Sequence, residues 1–121
     1  MADRIDLAMS APKLIDVIQL MESNIEVPLS LPGIAEQCNL SLRQIERLFH
    51  KFRAVTPSQY YLSLRLLHAK QLLLNTNRSV IDISIATGFE TQSYFTACYR
   101  KYFGSSPRNH RAQIATERKG R

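Results

Sequence analysis

An all-α fold is what the sequence predicts, on three observations. Apolar residues recur at three- and four-residue spacing along almost the whole chain. No segment sustains the period-two alternation of a half-buried strand. Serine or threonine caps, several with proline behind them, punctuate the segments. About seven helices are expected, forming two helix-turn-helix subdomains joined by a long linker helix.

Leu14, Val17, Ile18 and Met21 step by three and four, so residues 13–24 form a helix with one apolar stripe, and Pro28 closes the region. Ser30 ahead of Leu31-Pro32 opens a short helix to about Cys38, and Asn39-Leu40 makes the turn. Ser41 caps the next helix, Gln44 completes a capping box, and Ile45, Leu48, Phe49 and Phe52 form the stripe. Thr56-Pro57-Ser58-Gln59 is a second strong start, after which Leu62, Leu66, Ala69 and Leu73 trace one face of a long helix ending near Asn75-Thr76-Asn77. Ser79 with Asp82 starts a short helix carrying Val80, Ile83 and Ala86, which Gly88 ends in a left-handed cap. A further helix carries Phe95, Tyr99, Tyr102 and Phe103 and stops at Gly104. Ser106-Pro107 opens a last short helix, and residues 116–121 read as a frayed basic tail.

The chain also repeats itself. At an offset of fifty residues Phe49 matches Tyr99, Lys51 matches Lys101, Phe52 matches Tyr102 and Thr56-Pro57 matches Ser106-Pro107. Upstream the offset is forty-nine, pairing Ile34 with Ile83 and Leu40 with Phe89. Each copy is a short helix, a tight turn, a longer helix with a polar outer face, and Ser/Thr-Pro opening another helix. The expected organisation is a linker remnant or disordered segment over 1–11, a first subdomain over 12–55, the linker helix over 56–76, a second subdomain over 77–112 and a basic tail over 113–121.

Composition narrows the function. The net charge is +6 and unevenly spread: residues 1–40 hold two Lys/Arg against six Asp/Glu, residues 41–121 fourteen against four. A net −4 followed by a net +10 points to a polyanion on the later two-thirds of the chain. Cys38 and Cys98 are too few and too far apart for a disulfide framework or a zinc knuckle, and read as small buried side chains in a reducing compartment. No stretch reaches the roughly 18–20 apolar residues of a membrane span, and the N-terminus lacks a signal-peptide pattern, so a cytoplasmic location is expected. His50, His68 and His110 are scattered, with no Gly-rich phosphate loop, paired-carboxylate motif or metal-ligand spacing, so neither an enzyme nor a metal or cofactor site is expected. A helical module for another protein predicts an exposed apolar groove, whereas the outward faces are polar and basic. RNA binding predicts an aromatic stacking platform, whereas Phe49, Phe52, Tyr99 and Tyr102 fall on core stripes.

In a helix-turn-helix the second helix offers its outer face to the DNA major groove. The helix after Ser41 presents Arg43, Glu46, Arg47 and His50 opposite its stripe. Arginine forks match the two acceptors of guanine, while Glu46 either accepts from a cytosine amino group or orients the arginines. The helix after Glu90-Thr91 presents Gln92, Ser93, Thr96, Ala97 and Arg100. Gln pairs with adenine, Ser and Thr suit either partner, and Ala97 suits a thymine methyl. Tyr94 is open between sugar-phosphate contact and internal packing. Phosphate contacts are expected from helix N-termini and from Lys51, Arg53, Arg78, Arg100, Lys101, Arg108 and Arg111. A helix of about twenty residues is roughly 30 Å long, close to the roughly 34 Å between successive major grooves on one face of B-DNA.

Ile83 with Gly88-Phe89, Ser93-Tyr94-Phe95, Tyr99-Arg100-Lys101-Tyr102-Phe103-Gly104 and Ser106-Pro107 resemble the signature of the AraC/XylS family of bacterial transcription regulators. Thr56-Pro57, Tyr60-Tyr61-Leu62, Arg65-Leu66, Ala69 and Leu72-Leu73 resemble that family's linker helix, and the resemblance covers residues 13–112. It implies seven helices whose two helix-turn-helix units enter adjacent major grooves of double-stranded DNA, in a sequence-specific regulator acting as an activator. Arg43, Gln44, Glu46 and Arg47 fall at base-contacting positions of the first unit, and Gln92, Ser93, Thr96 and Ala97 at those of the second. The family often carries arginine where this chain has Ala97, so weaker discrimination is expected of the second unit. RNA polymerase is the implied protein partner. Family members usually carry an effector-sensing or dimerising domain beside this module, so the chain is either a stand-alone member or the C-terminal part of a longer regulator; residues 41–49 are similar to the subgroup with an amidotransferase-like N-terminal domain, and the second is expected.

Overall fold

The computed structural model describes the backbone of residues 2–120 and the side chains of residues 11–120. Its helices are α1 (Ala2–Glu22), α2 (Leu31–Gln37), α3 (Leu42–Arg53), α4 (Pro57–Asn75), α5 (Val80–Ala86), α6 (Gln92–Phe103) and α7 (Pro107–Lys119), and no strand occurs among the described residues. None of these helices is long and apolar enough to cross a membrane.

Local chemistry accounts for the helix starts. Ser30, Ser41, Ser79, Thr91 and Ser106 each stand in extended backbone and accept the amide three residues on. At Ser41 the Gln44 side chain returns the bond, accepting Ser41 N at 2.8 Å. Thr56 and Gln59 form the same reciprocal pair ahead of α4, at 3.0 and 3.1 Å.

The chain divides into two compact units, and the division falls inside α4. The first unit holds the chain up to Asn24 together with Pro28–Leu62, and the second holds Ile25–Val27 and the chain from Ser63. In the first, α1 packs on α2 and α3, and α2 on α3, around Val17, Met21, Ile34, Ile45 and Phe49. The Tyr61 hydroxyl closes the α1–α2 loop of that unit, accepting Leu29 N at 3.0 Å and donating to the Asn24 carbonyl. In the second, α5 packs on α6 and α6 on α7 around Leu66, Ala69, Leu73, Ile83, Phe95 and Tyr99. Phe89, Phe95, Tyr99 and Phe103 form a chain of tilted rings with centroids 5.0, 5.8 and 4.5 Å apart. The Tyr99 hydroxyl is 2.6 Å from His110 Nδ1, and burial pushes its pKa up to about 12.

The repeat extends to the backbone. Asn39 and Gly88 are both left-handed, at φ 54° and 79°, as are Ala54 and Gly104, at 55° and 80°. After the short helix of each unit, the second residue past the cap bonds back five residues: Leu40 N to Ala35 O at 2.9 Å, Phe89 N to Ser84 O at 3.0 Å. The turn that points each longer helix is therefore the same object built twice.

Three expectations need correction. Helix α1 begins at Ala2, so of the two expectations for residues 1–11, linker remnant or disorder, the helical backbone of 2–11 overturns the second; Met1 lies outside the described residues. Pro12 lies within this helix, where its missing N–H removes one rung without ending it. The last helix is not short: α7 reaches Lys119, through most of the expected basic tail, with only Arg121 outside the described residues. No glycine or proline interrupts residues 108–119, and Arg118 Nη1 donates to the Leu74 carbonyl at 3.2 Å. Tyr102, expected on a core stripe, is 51% exposed and lies edge-on to Phe103. Cys38 and Cys98 are both free and half-buried. Burial and Asp16 push the Cys38 thiol up, partly offset by Lys13.

Candidate nucleic-acid interface

Helix α3 buries Ile45, Leu48 and Phe49 and thereby turns Arg43, Gln44, Glu46, Arg47 and His50 to solvent. The arginines and Glu46 sit within the first two turns after the Ser41 cap, where a groove-inserted helix meets base edges. Gln44 is less free than its neighbours, because its carbonyl oxygen is engaged by the capping box. Lys51 is exposed with its ammonium 5.7 Å from the Phe52 ring centre, and exposed Arg53 donates to the Phe52 carbonyl at 3.2 Å.

Helix α6 buries Phe95 and Tyr99 and exposes Ser93, Ala97, Arg100 and Lys101, while Gln92 and Thr96 are half-buried. Its outer face therefore offers short polar groups near the N-terminus and cations toward the C-terminus. Tyr94, left open by the sequence, is 55% exposed, with its ring centre 5.9 Å from that of Phe89. A hydrogen bond to Cys98 is the main cause pushing its phenol up, joined by Cys98 itself and burial, with Arg65 opposing.

Of the other expected phosphate contacts, Arg78 and Arg108 are exposed at the entries to α5 and α7. Arg111 is otherwise engaged: half-buried, it donates from Nε to the Leu73 carbonyl at 3.1 Å and from Nη2 to the Thr76 carbonyl at 3.4 Å. It satisfies the open carbonyls at the end of α4, as cations at helix C-termini do.

Sequence reasoning missed the side chains of α4 that steady these helices. Arg65 donates from Nε to the Thr87 carbonyl at 2.8 Å and from Nη2 to the Gly88 carbonyl at 2.6 Å, and its guanidinium carbon stands 4.2 Å from the Phe89 ring centre. Lys70 places its ammonium 5.2 Å from the Phe103 ring centre. A signal for both was present, since each cation adjoins a residue of the apolar stripe, Leu66 or Ala69.

Comparison with known proteins bears on this arrangement. A family described as a helix-turn-helix domain matches residues 34–113. HTH-type transcriptional regulator GbdR of Pseudomonas aeruginosa (strain UCBPP-PA14) is 46% identical over 105 residues, 87% of this chain and 29% of that protein. The chain thus spans less than a third of that relative's length. A solved transcriptional regulator of the AraC-type DNA-binding domain-containing proteins, from Chromobacterium violaceum, superposes with a TM-score of 0.83 at 47% identity, covering 89% of this chain and 96% of that one. The DNA-binding domain of the global transcriptional factor AdpA, solved in complex with a target DNA, gives a TM-score of 0.82 at 25% identity, covering 87% and 95%.

Proposed function

The chain belongs to the AraC-type helix-turn-helix family, and from that premise we propose that it binds double-stranded DNA sequence-specifically as part of a bacterial transcription regulator. The observation that carries the reading is the turn built twice, at Asn39-Leu40 and Gly88-Phe89, each time ahead of a helix with a buried apolar stripe and a polar outer face. The AdpA domain, of similar fold, was solved on a target DNA. In this reading Arg43, Glu46 and Arg47 read bases from α3, and Gln92, Ser93, Thr96 and Ala97 read them from α6, in successive major grooves of one duplex. Gln44 contributes through its amide nitrogen. Lys51, Arg53, Arg78, Arg100, Lys101 and Arg108 meet phosphates, and Arg111 leaves that set for its work at the end of α4.

The regulator acts in the cytoplasm as a binding module and not as an enzyme. RNA polymerase is its protein partner, activation its effect, and an effector-sensing domain belongs to the longer protein. The charge balance of residues 41–121 supplies the test. With about six or more phosphate contacts, affinity for duplex DNA should fall by about three decades or more between 50 and 200 mM salt. A flat salt response, or equal affinity for structured RNA, overturns the reading. Footprinting should show two protected groove segments about 10 base pairs apart in a non-palindromic site, and inserting about half a helical turn between them should drop affinity toward the non-specific level.

A further inference from the structure

Arg65 joins the long helix to the turn from which α6 departs. Two of its donors meet two successive carbonyls, those of Thr87 and Gly88, at 2.8 and 2.6 Å, and its guanidinium faces the Phe89 ring at 4.2 Å. That ring in turn contacts Tyr94 and Phe95, in the first turn of α6. One planar cation thereby holds the backbone of the turn and the side chain on which the reading helix rests. A lysine ammonium is a point donor without the planar fork and cannot reproduce both contacts at once.

The first unit is built otherwise. Its turn at Cys38-Asn39-Leu40 receives no guanidinium among the described residues, and the nearby cation, Lys13, is exposed. The reading side chains differ in the same sense. Arg43, Glu46 and Arg47 are long and adjust by rotation, whereas Ser93 and Thr96 carry their hydroxyls one bond from Cβ. Hydrogen bonds from such short groups survive displacement of the helix by only a fraction of an ångström.

We propose that Arg65 is a positioning residue for base reading by the second unit: it fixes the departure of α6, without itself touching DNA, so that Gln92, Ser93 and Thr96 reach base edges. The proposal rests on the DNA-binding reading above, and its test separates the two. The 121-residue chain and its Arg65→Lys, Arg65→Gln and Arg47→Ala variants each select from a pool of random-sequence duplexes, with melting and salt dependence measured in parallel. The unaltered chain should enrich a two-part site. Arg47→Ala should lose the part read by α3. Both Arg65 variants should keep that part and lose about tenfold or more of the discrimination in the other, the scale of one well-placed base contact. Their salt slope should match that of the unaltered chain, and amides of residues 87–89 should exchange faster in them. A shallower salt slope with equal loss on all sequences would make Arg65 a phosphate contact and overturn the proposal. Unchanged discrimination, or loss in both parts together with a lower melting temperature, would overturn it as well. If the unaltered chain enriches no site, the DNA-binding reading itself falls, and the role of Arg65 with it.

Discussion

In the first unit the turn closes on Asn39, and the helix behind it carries two arginines and a glutamate on its outer face. In the second it closes on Gly88, Arg65 grips its carbonyls, and the helix behind it carries Gln92, Ser93 and Thr96. The backbone bonds of the two turns agree to within 0.1 Å, at 2.9 Å for Leu40 and 3.0 Å for Phe89. One scaffold therefore supports two strategies. Under the proposed reading, charge on long side chains reaches bases at a distance and tolerates slack, while short neutral groups need a helix held in place. An extended aromatic cluster stands behind α6, four rings in a chain, while in the first unit Phe49 and Tyr60 pair at 5.3 Å.

The largest effect should come from the cores. Phe49→Ala and Phe95→Ala each remove a fully buried ring and should cost about 3–5 kcal/mol. Hydrogen exchange should show each variant losing protection in its own unit, because the units are separately compact. If either variant strips protection from the whole chain, the units form one cooperative block and the comparison fails.

Alkaline pH should separate the units next. Tyr99 keeps its proton to about pH 12 in the folded chain. An unfolded tyrosine ionises near pH 10. The folded state thus holds a proton that the unfolded state has lost, so this contribution is complete below about pH 10 and is lost as pH rises toward 12, by about 2–3 kcal/mol. Helices α6 and α7 should open first on an alkaline titration. Tyr99→Phe should remove most of that dependence, leaving a smaller part from Tyr94, whose phenol is also raised.

On DNA, Arg47→Ala should reduce preference for a selected site by about 1–3 kcal/mol. Gln92→Ala should reduce it less, because Gln92 is half-buried. Lys101→Ala should weaken all duplexes alike. If Arg47→Ala and Lys101→Ala both act uniformly across sequences, the charged face of the first unit does not read bases.

The smallest effects share one position. Ala54 and Gly104 end the longer helices in the same left-handed conformation, which costs an L side chain about 1–2 kcal/mol. Ala54→Gly should relieve that strain and, after the added flexibility of the unfolded chain, stabilise the protein by about 0.5–1 kcal/mol. Gly104→Ala should destabilise by about 1 kcal/mol, since a Cβ there meets nothing within 4 Å and only the backbone resists. Urea denaturation reads both, and equal signs would mean that the caps are not equivalent.

What could be read from the sequence followed local rules. Caps such as Ser41 with Gln44, the stripes, and the pairing of Ile34 with Ile83 depend on residues a few positions apart, and they recovered the helices and the repeat. The outward faces of α3 and α6 followed from the stripes, because burying Ile45 and Phe49 leaves Arg43 and Arg47 nowhere but outside. Side chains that act across long separations were not legible. Arg65 meets carbonyls 22 and 23 residues away, and Arg111 meets one 38 residues away. In the sequence both are simply cations of a basic region. Tyr102 misled because helical spacing fixes direction only to within a turn, and Phe103 beside it took the inner place.

The placement of the two thiols has a practical consequence. Cys38 closes α2 and Cys98 lies in α6, so each unit carries one thiol, in no disulfide and half-buried. Pulse alkylation of the unmodified protein therefore times the opening of each unit separately, with the modified peptide identifying which one moved. The raised Cys38 thiol offers less thiolate at a given pH than an ordinary cysteine, so its rate needs calibrating against the unfolded chain before the units are compared. A duplex that engages both reading helices should slow the two clocks together. One that fits a single helix should slow one.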